Sequence, residues 1–349
     1  MNGGLEPQPR KPIGGRHETG GEVLAGLIEK EKAELADADT KSRANRPEIC
    51  ATVTEWIKDI DVGELFAVCQ EYLEKSGVPI DRFNTPEEIY FIEGPTPGIF
   101  VKNDGFRMFY SVETNSIGVN INYYRRLLDK HPDTRVVRAN FLDAYTDELV
   151  HAVGYNSISA ESTGRFFKKT SRTSQRTGIW DRSETITTMP LMRPDINETE
   201  LFGALYEGIA AKISHEIVLE YCRRKPAMVQ PAIMEEHIIG KRGDRSGYVG
   251  INKLVDQLVF SIARKDEEVD TEIVWRGFVR QYFSGELDPE EIRSLIAETM
   301  GEHFASDLAG AKTERDVERI MSTHEDRLPD QYAATEKWLE HLKTARGAK

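Results

Sequence analysis

Tyr145-Thr146-Asp147-Glu148-Leu149-Val150-His151-Ala152-Val153-Gly154-Tyr155 is the stretch on which the reading of this 349-residue chain turns. Apolar residues recur here at helical spacing, so a helix is predicted over residues 136–155. At about 100° per residue, Leu142, Tyr145, Leu149 and Val153 share one face, while Asp147, Glu148 and His151 fall on roughly the opposite one. Two carboxylates and an imidazole are thereby presented together. Residues four apart on a helix can grip one ion while a neighbour addresses its water, which is the arrangement a metal-dependent hydrolase needs.

A second long helix is predicted from Asn197 to about Arg224, with Asn197 and Glu200 in the form of a capping box. Within it, Leu205, Ile209, Ile213 and Ile217 recur at steps of four and make a burial stripe. Gly203, Ala204, Gly208 and Ala211 surround Glu207, and side chains this small would let this helix and the one over 136–155 approach closely enough for the carboxylate to reach across. Between the two helices, residues 156–194 are rich in Ser, Thr and Arg and poor in aliphatics, which predicts an extended surface loop.

The two segments together resemble the zincin metallopeptidases of the gluzincin kind. In that family one helix carries His-Glu-x-x-His, with two histidines on zinc and the glutamate as general base, and a later helix supplies a third ligand from a glutamate. Glu148, Leu149, Val150 and His151 are in register with the first motif, and Leu205-Tyr206-Glu207-Gly208-Ile209-Ala210-Ala211 is similar to the second. Asp147 stands where the first histidine belongs. The resemblance implies a metal site of Asp147, His151 and Glu207, with Glu148 as the catalytic base. Aspartate binds zinc through oxygen, but it reaches less far than imidazole and adds negative charge. Zn2+ is the ion expected, with Mn2+ or another divalent ion as the alternative that oxygen-rich coordination favours. His215, about two turns beyond Glu207, reads either as a substitute ligand or, as is commoner, as an ordinary polar residue on the helix.

Outward from these helices, residues 99–101, 107–112 and 116–121 read as short strands of a small antiparallel sheet. Residues 116–121 fall where zincins place the edge strand that pairs with an extended peptide. Residues 47–77 read as a helix pair broken at Asp61–Gly63, residues 83–98 as loop, and 251–264, 271–283 and 289–308 as helices. The expected fold is α+β and zincin-like, mostly helical. Its organisation is a disordered tail over 1–20, a charged helical segment over 21–46, the main domain over 47–310, and a charged helical tail over 311–349.

A net charge of −13 opposes binding to nucleic acid. No apolar run approaches a bilayer span and no secretory leader is legible, so a soluble cytoplasmic protein is expected. Cys50, Cys69 and Cys222 lack paired spacing and read as buried, reduced thiols. Arg165, Lys168, Lys169, Arg172 and Arg176 form a basic run that suits either a solvated loop or a surface that binds a carboxylate or another anion. Tyr155 and Tyr248 are conceivable oxyanion donors.

Three functions fit this sequence. The first is a peptidase using metal-activated water with Glu148 as base. The second is a pseudopeptidase that binds a peptide or protein partner in the cleft and holds no metal, and the third is a helical interaction protein without metal chemistry. The residues set neither a substrate sequence nor an oligomeric state.

Overall fold

The computed structural model describes residues 16–78, 84–94, 106–131, 133–165, 168–188, 195–243, 249–265 and 270–328. The expected strand at 99–101 and Tyr248 lie outside them. The fold is a mostly helical α+β arrangement.

Strand β1 (Arg16–Thr19) leads into helix α1 (Gly21–Asn45), then α2 (Pro47–Asp59) and α3 (Val62–Lys75). The expected helix pair is therefore present. Pro47 opens α2 where its missing N–H costs nothing, and Asp61 caps α3 by accepting from the Glu64 N–H at 3.0 Å. One expectation for the N-terminus changes: residues 16–19 are a strand and not part of a disordered tail. The charged helix expected over 21–46 is α1, with Leu24 and Leu35 buried.

Strands β2 (Glu88–Ile92), β3 (Met108–Ser111) and β4 (Ser116–Asn120) make a three-stranded sheet in the order β2-β4-β3, with β2 parallel and β3 antiparallel to β4. β2 falls in a stretch read as loop, because Pro86 and Pro95 obscured the β-rich Glu88–Ile92 between them. β4 is central and buried along its whole length, so it is not an edge that could take up a peptide. The edge strand beside the helical core is β3. Phe109 of β3 lies over Gly118 of β4, filling the space a Cβ would occupy.

Helix α4 (Ile121–Lys130) precedes α5 (Thr134–Val153), whose first turn is capped by Asp133. There follow β5 (Asn156–Arg165), β6 (Lys168–Thr177), β7 (Trp180–Thr188) and β8 (Asp195–Leu201). With β1 they form a five-stranded mixed sheet, β1-β5-β6-β7-β8, in which only the β1–β5 pairing is parallel. The predicted surface loop over 156–194 is thus largely strand. Its Ser, Thr and Arg residues occupy both faces, and the few inward positions, such as Ile158 and Ala160, are too sparse to show a period of two. Gly178, at φ 55°, supplies the left-handed turn between β6 and β7.

The chain continues through α6 (Gly203–Arg224), α7 (Pro231–Gly243), α8 (Val249–Lys265), α9 (Thr271–Ser284), α10 (Pro289–Met300), α11 (Glu302–Gly310) and α12 (Glu314–Thr323). The helix expected to start at Asn197 starts at Gly203 instead, because Asn197 and Glu200 pair across to Thr185 and Arg182 of β7. Glu200 caps nothing; its Oε1 accepts from the Trp180 indole N–H at 3.1 Å and its Oε2 lies 3.1 Å from Lys312 Nζ. Phe202 turns the chain into α6 in the left-handed region at φ 60°, and the α11 end satisfies the new helix: the Phe202 and Ala204 N–H groups donate to Ala309 and Ala311 carbonyls at 2.8 and 3.0 Å. The predicted helix over 289–308 is two helices, broken at Gly301, which sits at φ 88°.

α5 and α6 occupy the centre. α5 is buried on every side from Ala139 to Val153, so its polar face does not look into an open cleft as its periodicity suggested. The stripe of Leu205, Ile209, Ile213 and Ile217 on α6 is buried as expected. The glycine of the small-residue face serves another neighbour: a Cβ on Gly208 would come within 2.6 Å of Ile251 and 2.7 Å of Val255, both on α8. Cys50, Cys69 and Cys222 are free and buried. Among the described residues no helix is long and apolar enough to cross a membrane.

Candidate functional site

α5 carries Asp143, Asp147 and His151 at successive steps of four, with Glu148 alongside. α6 runs antiparallel to it. Glu207 lies level with His151, Ser214 with Asp147, and His215 with Asp143, as three contacts show: Glu207 Oε2 is 3.8 Å from His151 Nε2, Ser214 Oγ donates to Asp147 Oδ1 at 3.1 Å, and His215 Nε2 is 3.4 Å from Asp143 Oδ1. The imidazole of one helix and the carboxylate of the other therefore meet, as the sequence reading required.

His151 is held from behind. Its Nδ1 is hydrogen-bonded to the Tyr282 hydroxyl of α9 at 2.9 Å, and its ring lies against Tyr206, which in turn stacks on Tyr282. In the tautomer that donates Nδ1–H to Tyr282, Nε2 keeps its lone pair toward Glu207, and a partner on the far nitrogen is how a metal-binding histidine is usually oriented. Burial pushes the imidazole pKa down to about 3, so the ring is neutral at ordinary pH.

Burial, then the charges of Asp147 and Glu207, drive the Glu148 pKa far above the usual carboxylate range; Arg107 and a hydrogen bond from the Tyr110 backbone N–H pull the other way. That N–H belongs to β3, the edge strand. Glu207 rises to about 8, chiefly through burial and then through Asp147 and Glu200, with Arg107 opposing. Its side chain is 40% exposed, so desolvation weighs less on it than on Glu148, which is 8% exposed. Glu207 is also where the cluster meets solvent, since Asp147 and His151 are buried as well.

Arg107 is the cation that bears on both glutamates, and its Nη1 is already 2.9 Å from Asp143 Oδ2. Glu148 and Glu207 thus share one guanidinium with Asp143. Such a cluster either retains protons or takes up a cation. The donor set fits a cation in kind: one imidazole nitrogen and several carboxylate oxygens. The 3.8 Å between His151 and Glu207 also suits two donors each about 2.1 Å from a common ion. Asp147 completes the set less well. Among the described residues, only His303, Asp307 and His324 bring one ligand atom each within 4.8 Å of one another, so Asp147, His151 and Glu207 do not close to that extent.

The remaining candidates lie elsewhere. His215 faces Asp143, as does His237 of α7 at 3.5 Å, one turn of α5 away from Asp147. Tyr155 stacks on His17 and under the Arg176 guanidinium, and Arg176 donates to the Gly285 and Leu287 carbonyls. Arg176 therefore ties the sheet to the end of α9, while Lys169 and Arg172 of the basic run are exposed on β6.

Sequence reasoning passed over Arg107, Asp143, Tyr206 and Tyr282. Asp143 could have been found, since it stands one helical step before Asp147. Nothing local marks Arg107 or Tyr282, which reach the site from β3's approach and from α9. No known family model, curated protein or solved structure matches this chain.

Proposed function

We propose that the α5–α6 cluster is a metal-dependent hydrolytic site of zincin type, acting on peptide bonds. One observation carries this reading: Glu207 of α6 lies 3.8 Å from the neutral, Tyr282-oriented imidazole of His151, and Asp147 and Glu148 stand beside that histidine on α5. His151 and Glu207 would hold the ion, with Asp147 as third ligand once its carboxylate turns from Ser214. Zn2+ fits the nitrogen donor, and Mn2+ the oxygen-rich remainder. When bound there, the ion supplies the positive charge that acidifies water and polarises a carbonyl.

The chain's own groups do the rest. Glu148, whose proton affinity is high while the cluster is uncompensated, ionises beside a cation and accepts a proton from water, returning it to the departing amine. Tyr282 keeps the His151 ring from rotating. Arg107 opposes the rise in proton affinity that burial and neighbouring charge impose on Glu148 and Glu207. The outer edge of β3 would receive an extended peptide, beside the Tyr110 N–H that Glu148 engages.

The burial of Asp147, Glu148 and His151 favours a second reading, in which the scaffold binds a peptide or protein partner at the Glu207 opening without cutting it. Metal analysis of the purified chain, with peptide-library cleavage by wild type and Glu148→Gln, separates the two. A stoichiometric ion with cleavage lost in Glu148→Gln is the result expected of the hydrolase. Absence of both metal and cleavage, with peptide binding retained, would establish the second reading instead.

A further inference from the structure

We propose that His303, Asp307 and His324 form a second divalent-metal site, selective for Zn2+ over Mg2+, that clips α11 to the end of α12. His303 and Asp307 are four apart on α11 and so project from one face. His324 is the residue at which α12 ends. Asp307 Oδ2 stands 3.0 Å from His303 Nδ1 and 3.0 Å from His324 Nε2, and the three atoms lie within 4.8 Å of one another. Neighbouring ligands at right angles about an ion, each roughly 2.1 Å from it, are themselves separated by about 3.0 Å. The two spacings to Asp307 are thus those of neighbouring ligands, and a bound ion would displace the protons that now join the imidazole nitrogens to the carboxylate, with water completing its shell.

The three side chains differ in freedom in a way that suits capture. His324 is 5% exposed, with its ring edge-on to Phe304 at 5.2 Å, so its nitrogen is fixed in direction. His303, at 74%, is free to swing. Asp307 lies between them, 3.0 Å from a nitrogen of each. Two imidazole nitrogens with a single carboxylate favour zinc, cobalt or nickel over magnesium or calcium, which need mostly oxygen.

The position gives such an ion a structural consequence. The carbonyls of Ala309 and Ala311, at the end of α11, accept from the first N–H groups of α6. Fixing α11 against α12 therefore steadies the support of the helix that carries Glu207. The site is independent of the α5–α6 cluster and does not rest on the hydrolytic reading.

Calorimetric titration of the untagged full chain with ZnCl2 and MgCl2 tests the proposal, using wild type, His303→Ala, Asp307→Asn and His151→Ala. His303→Ala removes an exposed side chain, so its metal-free far-ultraviolet spectrum and Tm should match wild type. The expected result is loss of one equivalent of Zn2+ binding in His303→Ala and Asp307→Asn and its retention in His151→Ala, with no Mg2+ uptake at that site. A Zn2+-induced rise in Tm should shrink in His303→Ala. The same number of Zn2+ equivalents with the same affinities in wild type, His303→Ala and Asp307→Asn would overturn it.

Discussion

Glu207→Gln in the metal-free protein tests the electrostatic premise of the site directly. The Glu207 carboxyl is raised from its ordinary 4.5 to about 8, so the folded chain keeps a proton that the unfolded chain releases at lower pH. Stability is therefore full below about pH 4.5 and is lost as the pH climbs through about 8. At about 1.36 kcal/mol per pH unit, the full rise would correspond to about 5 kcal/mol. With 40% of the side chain in solvent, screening reduces this to about 2 kcal/mol. Glutamine has no proton to lose. The variant should match wild type near pH 5 and exceed it by about 2 kcal/mol near pH 9, measured by urea denaturation in the presence of EDTA. Glu148 acts in the same direction, so wild type loses more than the Glu207 contribution alone. His151 acts in the opposite one: a ring pushed down from 6.5 to about 3 favours folding above pH 6.5, and that advantage is lost as the pH falls toward 3. Identical dependence on pH in wild type and Glu207→Gln between about pH 5 and 9 would refute the premise that this carboxyl is held protonated by burial and by its neighbours. Added Zn2+ should invert the ranking, stabilising wild type more than the variant, because the ion needs the charge that glutamine lacks.

Tyr282→Phe removes the hydroxyl behind His151 Nδ1; metal titration should show affinity reduced about 10- to 100-fold, and denaturation a loss of about 1 kcal/mol. An unchanged affinity would mean that the tyrosine does not orient the ring. Asp147→His should tighten Zn2+ binding by replacing a short oxygen donor with imidazole, readable in the same titration, and weaker binding would argue that the ion prefers the carboxylate. Gly208→Ala should destabilise the fold by about 1–3 kcal/mol, because its Cβ would press on Ile251 and Val255 at 2.6 and 2.7 Å. Gly277→Ala on α9, where nothing lies within 4 Å, is the control; it should be neutral or stabilising by up to about 1 kcal/mol in the same thermal melts.

The parts of this protein that were legible in its sequence are those whose physics is local. α2, α3, α5, α8 and α9 declare themselves by apolar spacing, and the approach of α5 to α6, though not its antiparallel direction, is suggested by two polar positions that each need the other helix. The failures share a cause as well. Asn197 and Glu200 satisfy the local rule for a helix start, yet strand pairing with Thr185 and Arg182 claims their backbone and Trp180 and Lys312 claim the Glu200 carboxylate. The real start at Phe202 breaks the local rules, with a bulky residue at φ 60° and no capping side chain, because α11 supplies the missing acceptors from about a hundred residues away. Gly208 does permit a close approach, but by α8 and not by α5 as its place beside Glu207 suggests, because the sequence pattern alone does not distinguish two helices that pack on different sides of α6. The same limit governs the site. Asp147, Glu148, His151 and Glu207 belong to two segments that can be read one at a time, whereas Arg107 and Tyr282 matter only because tertiary packing brings β3's approach and α9 against them. Whether that cluster holds an ion is accordingly decided by the balance of charge in the assembled core, to which neither helix alone is a guide.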